Sequence, residues 1–282
     1  MLRQRIVTAL VLAGLLLGAL SVSSSWPFAL LTLALIAAAG WEWARLNQAG
    51  AGLSLAMGAA VAVAGALTWT AGWQDHAPDA IWWLVAALWL VAGAVALRNG
   101  PAAWPQLPRA ARWLLGLVAL WAAWLAIAHA RGTGINFLLS LLCLVWMADI
   151  AAYFGGRALG KRKLAPSISP GKSWEGVWSG MVGVLLLSAL WMWIDGRFNV
   201  DSPSLYSRLW HDIGVFGMAA ALIALCGLSV LGDLIESLVK RAAGAKDSSR
   251  LLPGHGGVLD RVDALLPVVP AAMAVMTLLG PA

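Results

Sequence analysis

Residues 213–241 read IGVFGMAAALIALCGLSVLGDLIESLVKR. No charged side chain occurs from Ile213 to Gly232, and about 20 predominantly apolar residues are what a helix needs to cross a hydrocarbon core. The run then gives way to Asp233, Glu236, Ser237, Lys240 and Arg241, related by three- and four-residue steps, so much of the set shares one helix face. Ionisable groups within or at the end of a span are costly to leave unpaired, which makes them functional candidates by default.

Composition extends this reading to the whole chain. Of 282 residues, 61% are hydrophobic and 11% charged, against about 45–50% and about 25% in soluble domains. A soluble enzyme, a disordered chain and a secreted disulfide scaffold are excluded. Cys143 and Cys226 lie in apolar stretches and behave as small buried hydrophobes, with no disulfide framework or metal-ligand spacing. Nine candidate spans follow: 6–22, 27–45, 51–72, 80–97, 112–130, 135–154, 174–194, 213–235 and 262–280. The fold class is an all-α, polytopic integral membrane protein of about nine transmembrane helices. Trp26, Trp41, Trp73, Trp82, Trp113 and Trp174 fall near span ends, as interfacial anchors do. Residues 1–25 also have the outline of a signal peptide, with Arg3 and Arg5 before the apolar run and Ser23–Ser25 after it. Further spans follow at once, which favours a first membrane helix.

A net charge of +6 in such a chain raises the question of sidedness; it does not call for nucleic acid as a partner. With the N-terminus cytoplasmic, 16 of the 19 Lys and Arg residues fall on that side, and only Arg131, Arg197 and Arg208 on the other. This positive-inside bias puts the N-terminus and the two longest basic loops in the cytoplasm. The first five spans, within residues 1–134, are almost free of ionisable groups. Glu42 and Arg45 are the main exception and suit a snorkelling pair at the interface. The chemistry is expected in residues 135–282, at the cytoplasmic face, with loops at 155–173 and 236–261.

Three segments there carry it. The first runs from Asp149 and Tyr153, one helical turn apart, through Gly155-Gly156-Arg157, Gly160-Lys161-Arg162-Lys163 and Ser169-Pro170-Gly171-Lys172-Ser173 to Glu175. Its cations and glycines suit a polyphosphate, or anionic head groups at a membrane anchor. Gly171-Lys172-Ser173 resembles the end of a P-loop, but Pro166 occupies the position of the first required glycine and no strand precedes it. The second segment is Asp233–Arg241. The third holds Lys246-Asp247, His255 among glycines, and Asp260 and Asp263, three residues apart. Carboxylates on rigid helices suit Mg²⁺ bound with substrate phosphates. Beside cations they meet the needs of metal-assisted phosphoryl or nucleotidyl transfer. A transporter would spread its polar residues near the midplane and carry matching broken helices in two halves, which this chain does not.

Ser237-x-Val239-Lys240-Arg241, four residues, Lys246-Asp247-x-Ser249, two residues, then Leu252-Pro253-x-His255-Gly256-Gly257-Val258-x-Asp260-Arg261-Val262-Asp263 resembles the C-terminal signature of the phosphatidate cytidylyltransferases (CDP-diglyceride synthases) over all 27 positions. The segment from Asp149 to Glu175 is similar to that family's other cytoplasmic loop. The Asp-Gly-x-x-Ala-Arg core of the CDP-alcohol phosphotransferases is absent. The resemblance implies that CTP and phosphatidic acid give CDP-diacylglycerol and pyrophosphate. It also implies dependence on Mg²⁺, with K⁺ as a second cation, and a homodimer in the bacterial inner membrane. Asp233, Asp260 and Asp263 are then the expected metal ligands. Lys240, Arg241 and Lys246 would hold the triphosphate, with Asp247 and His255 completing the catalytic set. Ser237, Gly256, Gly257, Arg261, Asp149, Tyr153, Lys161, Lys163, Ser169 and Lys172 would bind substrate.

Overall fold

A computed structural model describes residues 2–279, with the side chains of Leu2, Arg3 and Arg5 not included; Gly280 at the end of the ninth expected span lies outside what it describes. The chain is 78% helical, as an all-α membrane protein requires. Helix α1 covers Leu2–Ser21 and α4 is the short Trp73–His76. Among the described residues, seven helices are long and apolar enough to cross a bilayer: α2 (Trp26–Leu46), α3 (Ala51–Thr70), α5 (Asp79–Asn99), α6 (Arg109–Thr133), α7 (Ile135–Leu159), α8 (Trp174–Arg197) and α9 (Leu205–Ala242). Their outward faces are rich in exposed Leu, Val, Ile, Trp and Phe, the pattern of surfaces meeting lipid.

The expectation of nine spans is corrected at the C-terminal end, whereas the first expected span is present as helix α1, apolar over Ile6–Ser21. The segment 262–280 is not one helix: a single turn, α10 (Leu259–Val262), is followed by α11 (Leu265–Met276) of 12 residues. Such a helix rises about 18 Å, against a hydrocarbon core of about 30 Å. Every residue from Leu265 to Ala274 is buried, because α11 is packed among α5, α6 and α9. It is a core plug joining the two halves of the chain. The other boundaries shift for local reasons. In α9, Gly214 breaks the helix at φ 68°, a left-handed conformation that glycine adopts readily. The helix beyond it continues to Ala242, so the first part of the expected loop 236–261 is helical. Likewise α7 runs on to Leu159, and the rest of the expected loop 155–173 contains an antiparallel hairpin, β1 (Lys163–Ala165) with β2 (Ser169–Ser173).

Tryptophans divide between surface and interior. Trp26 and Trp174 are exposed, as anchors should be, whereas Trp82 is 2% exposed and faces the His129 ring at 6.0 Å. Near the end of α2, buried Trp104 donates its indole N–H to Asn47 Oδ1 at 2.8 Å, and Trp43 donates to the Arg112 carbonyl at 2.8 Å.

Two features fix the helices that carry the site. Helices α7 and α8 approach closely through small residues: a Cβ on Gly176 would stand 2.9 Å from the Ala152 carbonyl, and one on Gly180 2.9 Å from that of Ala148. Small residues at four-residue spacing let membrane helices come this near. At the far end, Asp201 accepts the Ile135 and Asn136 amides at 2.6 and 2.9 Å, and Asn136 donates to Asp195 and to the Ser202 carbonyl. Desolvation works against the Asp201 anion, but the amides of Asn136 and Ile135 and the Ser202 hydroxyl hold it below its ordinary range. Gly183, where a Cβ would meet the Ala151 Cβ at 2.6 Å, tests the close packing without touching the site. Gly183→Leu should cost about 1–3 kcal/mol by overpacking, read as a thermal midpoint several degrees lower in detergent; an unchanged midpoint would mean that α7 and α8 part freely.

Candidate active site

A cavity of about 540 Å³ opens where α7, β2, α8, α9 and α10 converge. From α7 come Asp149, Tyr153, Gly156 and Arg157; from β2, Ser169, Gly171, Lys172 and Ser173. Helix α8 contributes Gly176, Val177 and Gly180, while α9 contributes Cys226, Val230 and Asp233. Asp260, Arg261 and Asp263 close it from the C-terminal segment. The glycines of α7 and α8 thus do two things: they bring the helices together and leave the cavity wall free of side chains. Ser173 caps α8, its hydroxyl accepting the Gly176 amide at 3.2 Å.

The wall combines both signs of charge. Lys172 Nζ is 2.6 Å from Asp233 Oδ2, and the Ser237 hydroxyl donates to the other oxygen of Asp233 at 3.3 Å. Asp263 stands near enough to Asp233 and Asp149 for their negative charges to act on it. Three carboxylates on one wall repel one another and favour a cation between them. Among the described residues no three His, Cys, Asp or Glu side chains form a metal-holding group. Asp149, Asp233 and Asp263 are the carboxylates that could share a hard cation with a ligand's phosphate oxygens. Arg157, Lys172 and Arg261 supply the positive counterpart.

Asp260 is occupied differently. Oδ1 accepts Lys240 Nζ at 2.7 Å, and Oδ2 accepts the Ser248 hydroxyl at 2.9 Å, the Ser248 amide at 2.9 Å and the Gly257 amide at 2.8 Å. Desolvation alone would raise its carboxyl; the Glu236 side chain, the Lys240 ammonium and the Gly257 and Ser248 amides outweigh this and hold Asp260 well below the usual carboxylate range. Lys240 is shared in turn with Glu236, only 2% exposed, at 2.5 Å. Both Lys240 and Asp260 are thus engaged within the protein, and Asp260 can join a cation only by releasing one of its donors.

Of the residues expected at the site, Asp149, Tyr153, Ser169, Lys172, Asp233, Asp260, Arg261 and Asp263 line this cavity. Others stand elsewhere. The Gly257 amide, expected to meet phosphate, is spent on Asp260. His255 is off the cavity, its carbonyl accepting the Arg261 guanidinium. Arg241 donates to the Ile168 carbonyl at 3.3 Å, tying the hairpin to α9. Lys161 and Lys163 are exposed on the hairpin arm, whose start is held by Glu175 accepting the Lys161 and Arg162 amides. Lys246 and Asp247 line a separate cavity of about 570 Å³ with Arg45 and Arg250. The carboxylate of Glu42 overturns the snorkelling reading. It is wholly buried and accepts hydrogen bonds from the Ser249 hydroxyl and the Val258 and Leu259 amides, with the Ser248 hydroxyl 3.1 Å away, while Arg45 lies 4.5 Å from the centre of the Trp41 ring. Sequence reasoning gave Glu42 an interfacial role instead, and counted Arg157 among the loop cations without naming it as a site residue. The available signal for the first was a carboxylate in the last part of a span whose one other charged residue is Arg45.

This division of labour separates two substitutions. Asp260→Asn should lower stability by on the order of 3 kcal/mol by leaving a buried charge pair broken. Asp263→Asn should leave it unchanged or slightly higher, since Asp263 accepts only its neighbour Ala264's amide and faces like charge. Thermal unfolding of both variants in detergent checks the ordering; equal losses would contradict it.

Comparison with known proteins identifies the family. The profile of the cytidylyltransferase family matches residues 3–279. The phosphatidate cytidylyltransferase of Pseudomonas aeruginosa is 36% identical over 291 aligned residues, covering 99% of this chain and 98% of that protein. The phosphatidate cytidylyltransferase of Haemophilus influenzae is 47% identical over 142 residues, 50% of this chain and 46% of its own length. That of Brucella suis is 44% identical over 163 residues, 55% and 52% respectively. With a profile match across nearly the whole sequence and a relative aligned end to end, the chain belongs to the cytidylyltransferase family.

Proposed function

We infer that this chain is a nucleotidyltransferase that joins CTP and phosphatidic acid to give CDP-diacylglycerol and pyrophosphate. The observation that carries the reading is the cavity in which Asp149, Asp233 and Asp263 face Arg157, Lys172 and Arg261, in a chain aligned end to end with a phosphatidate cytidylyltransferase. A phosphate oxygen of the lipid bonds to the α-phosphorus of CTP as the α–β bridging bond breaks, and pyrophosphate leaves with that electron pair. A phosphate monoester already carries about −1.5 to −2 charge at neutral pH, so no strong general base is needed. The task of the protein is to bring two polyanions together. Lys172, Arg157 and Arg261 neutralise phosphate charge and balance what builds on the leaving group. Tyr153 and Ser169 offer hydroxyls to the same space. Lys240 keeps Asp260 in place, so the triphosphate role expected of it passes to the cavity's own cations.

Mg²⁺ is the cofactor the carboxylates fit, and when bound it would polarise phosphoryl oxygens and offset their charge. Asp233 and Asp263 would hold it, with K⁺ as a second cation in the same acidic wall. The positive-inside bias supports an inner-membrane protein with its active site and N-terminus in the cytoplasm, where CTP is available. Acyl chains stay in the bilayer beside the exposed apolar helix faces. The chain would work as a homodimer, with no nucleic-acid partner.

Pyrophosphate release by the purified protein with CTP, phosphatidic acid and Mg²⁺ tests this directly. Release should require all three components and yield CDP-diacylglycerol; release without lipid would overturn the reading. Asp233→Asn should keep a near-normal thermal midpoint and lose about 100-fold or more in turnover. Substantial activity in that variant with unchanged metal dependence would remove Asp233 from the ligand set.

A further inference from the structure

Glu42 lies on α2, far in sequence from every residue of the cavity, and is 0% exposed. Oε1 accepts the Val258 amide at 3.0 Å and the Ser249 hydroxyl, while Oε2 accepts the Leu259 amide at 2.7 Å and contacts the Ser248 hydroxyl at 3.1 Å. That Ser248 hydroxyl also stands 2.9 Å from Asp260 Oδ2. It therefore sits between two carboxylates, one from each half of the chain. Gly257 completes the contact: a Cβ there would come within 2.7 Å of the Glu42 carboxyl carbon, so only glycine lets the loop lie flush against it.

A buried carboxylate is stable only when hydrogen-bonded throughout, and here every donor belongs to the segment 248–259. That segment has little regular structure of its own, a single bridge between Leu252 and Gly256 followed by the one turn of α10. Its position is set from outside. Asp260, Arg261 and Asp263 follow directly on Leu259, so fixing Leu259 and Ser248 fixes where those three side chains meet Asp233 on α9.

We propose that Glu42 is a positioning residue for cytidylyl transfer: through Ser248 and the Val258 and Leu259 amides, it sets the placement of Asp260, Arg261 and Asp263 against Asp233. This rests on the function proposed above. It makes the N-terminal helices part of the active-site framework, since α2 carries the group that orders the C-terminal loop.

Glu42→Gln, Glu42→Asp, Ser248→Ala and the double variant Glu42→Gln/Ser248→Ala, each made in the full chain in detergent, provide the test. Glu42→Gln keeps the size but turns an amide donor toward a donor, so kcat should fall about 10- to 100-fold with KM for CTP changed less than about 3-fold. Glu42→Asp, which keeps the charge, should recover part of that loss. The double variant should be no slower than the slower single, because both act along one path. Hydrogen exchange at the Val258 and Leu259 amides should quicken in Glu42→Gln. A kcat within about 2-fold of wild type, or a loss that only tracks the folded fraction, would overturn the proposal. If Glu42→Gln does not fold, Ser248→Ala must still lower kcat without moving KM, or the proposal fails. If the wild-type chain transfers no cytidylyl group, the functional reading fails on its own. Exchange at Val258 and Leu259 then still decides whether Glu42 holds the loop, unchanged exchange counting against it.

Discussion

Lys240 holds two carboxylates at once, Glu236 on its own helix and Asp260 across the turn that precedes α11. At the edge of an apolar bundle no member of this trio can be left alone, because a buried unpaired charge is far more costly than a paired one. The trio joins α9 to the segment that ends in α10, and the rest of the site is arranged around that joint. Asp233 lies on the same helix as Lys240, while Arg261 and Asp263 leave directly from Asp260. A small shift in the joint would move all of them together.

Charges in this protein fall into two groups with different work. One group is engaged with other protein groups and orders the backbone: Glu42 and Asp260 accept backbone amides, and Lys240 pairs with Glu236 and Asp260. The other, Asp149, Asp233, Asp263, Lys172, Arg157 and Arg261, faces an open cavity. Only Lys172 and Asp233 of this second group form an ion pair with each other, a pair that arriving phosphates and a cation can replace. Such separation lets the cavity change its charge partners during turnover while the frame behind it keeps its shape, the condition for electrostatic stabilisation without reorganisation.

The membrane scaffold serves the same end. Glycines along α7 and α8 bring two helix backbones together and clear one wall, and the polar knot of Asn136, Asp195, Asp201 and Ser202 fixes the opposite end of those helices. Buried α11 fills the space between the halves of the chain. Apolar residues that face outward meet lipid, so a substrate with acyl chains and a soluble nucleotide can meet at one edge of the bundle.

Much of this was legible in the residues alone. Uncharged runs of membrane length determined the helical class, and the asymmetric distribution of Lys and Arg supplied an expected sidedness. The residues from Ser237 to Asp263 resemble the signature of the phosphatidate cytidylyltransferases, and it was that resemblance which implied the chemistry. Periodicity could not tell the plug α11 from a span, since an apolar helix looks alike whether it meets lipid or protein. Nor could it divide the signature into residues that face the cavity and residues that hold it: Asp260 and Asp263 are three positions apart, yet one is saturated by donors and the other is turned toward like charge. The role of Glu42 was settled only by folding, because its hydrogen bonds join residues more than 200 positions apart. Local sequence determines which groups a helix carries; which of them find partners is decided where distant segments meet.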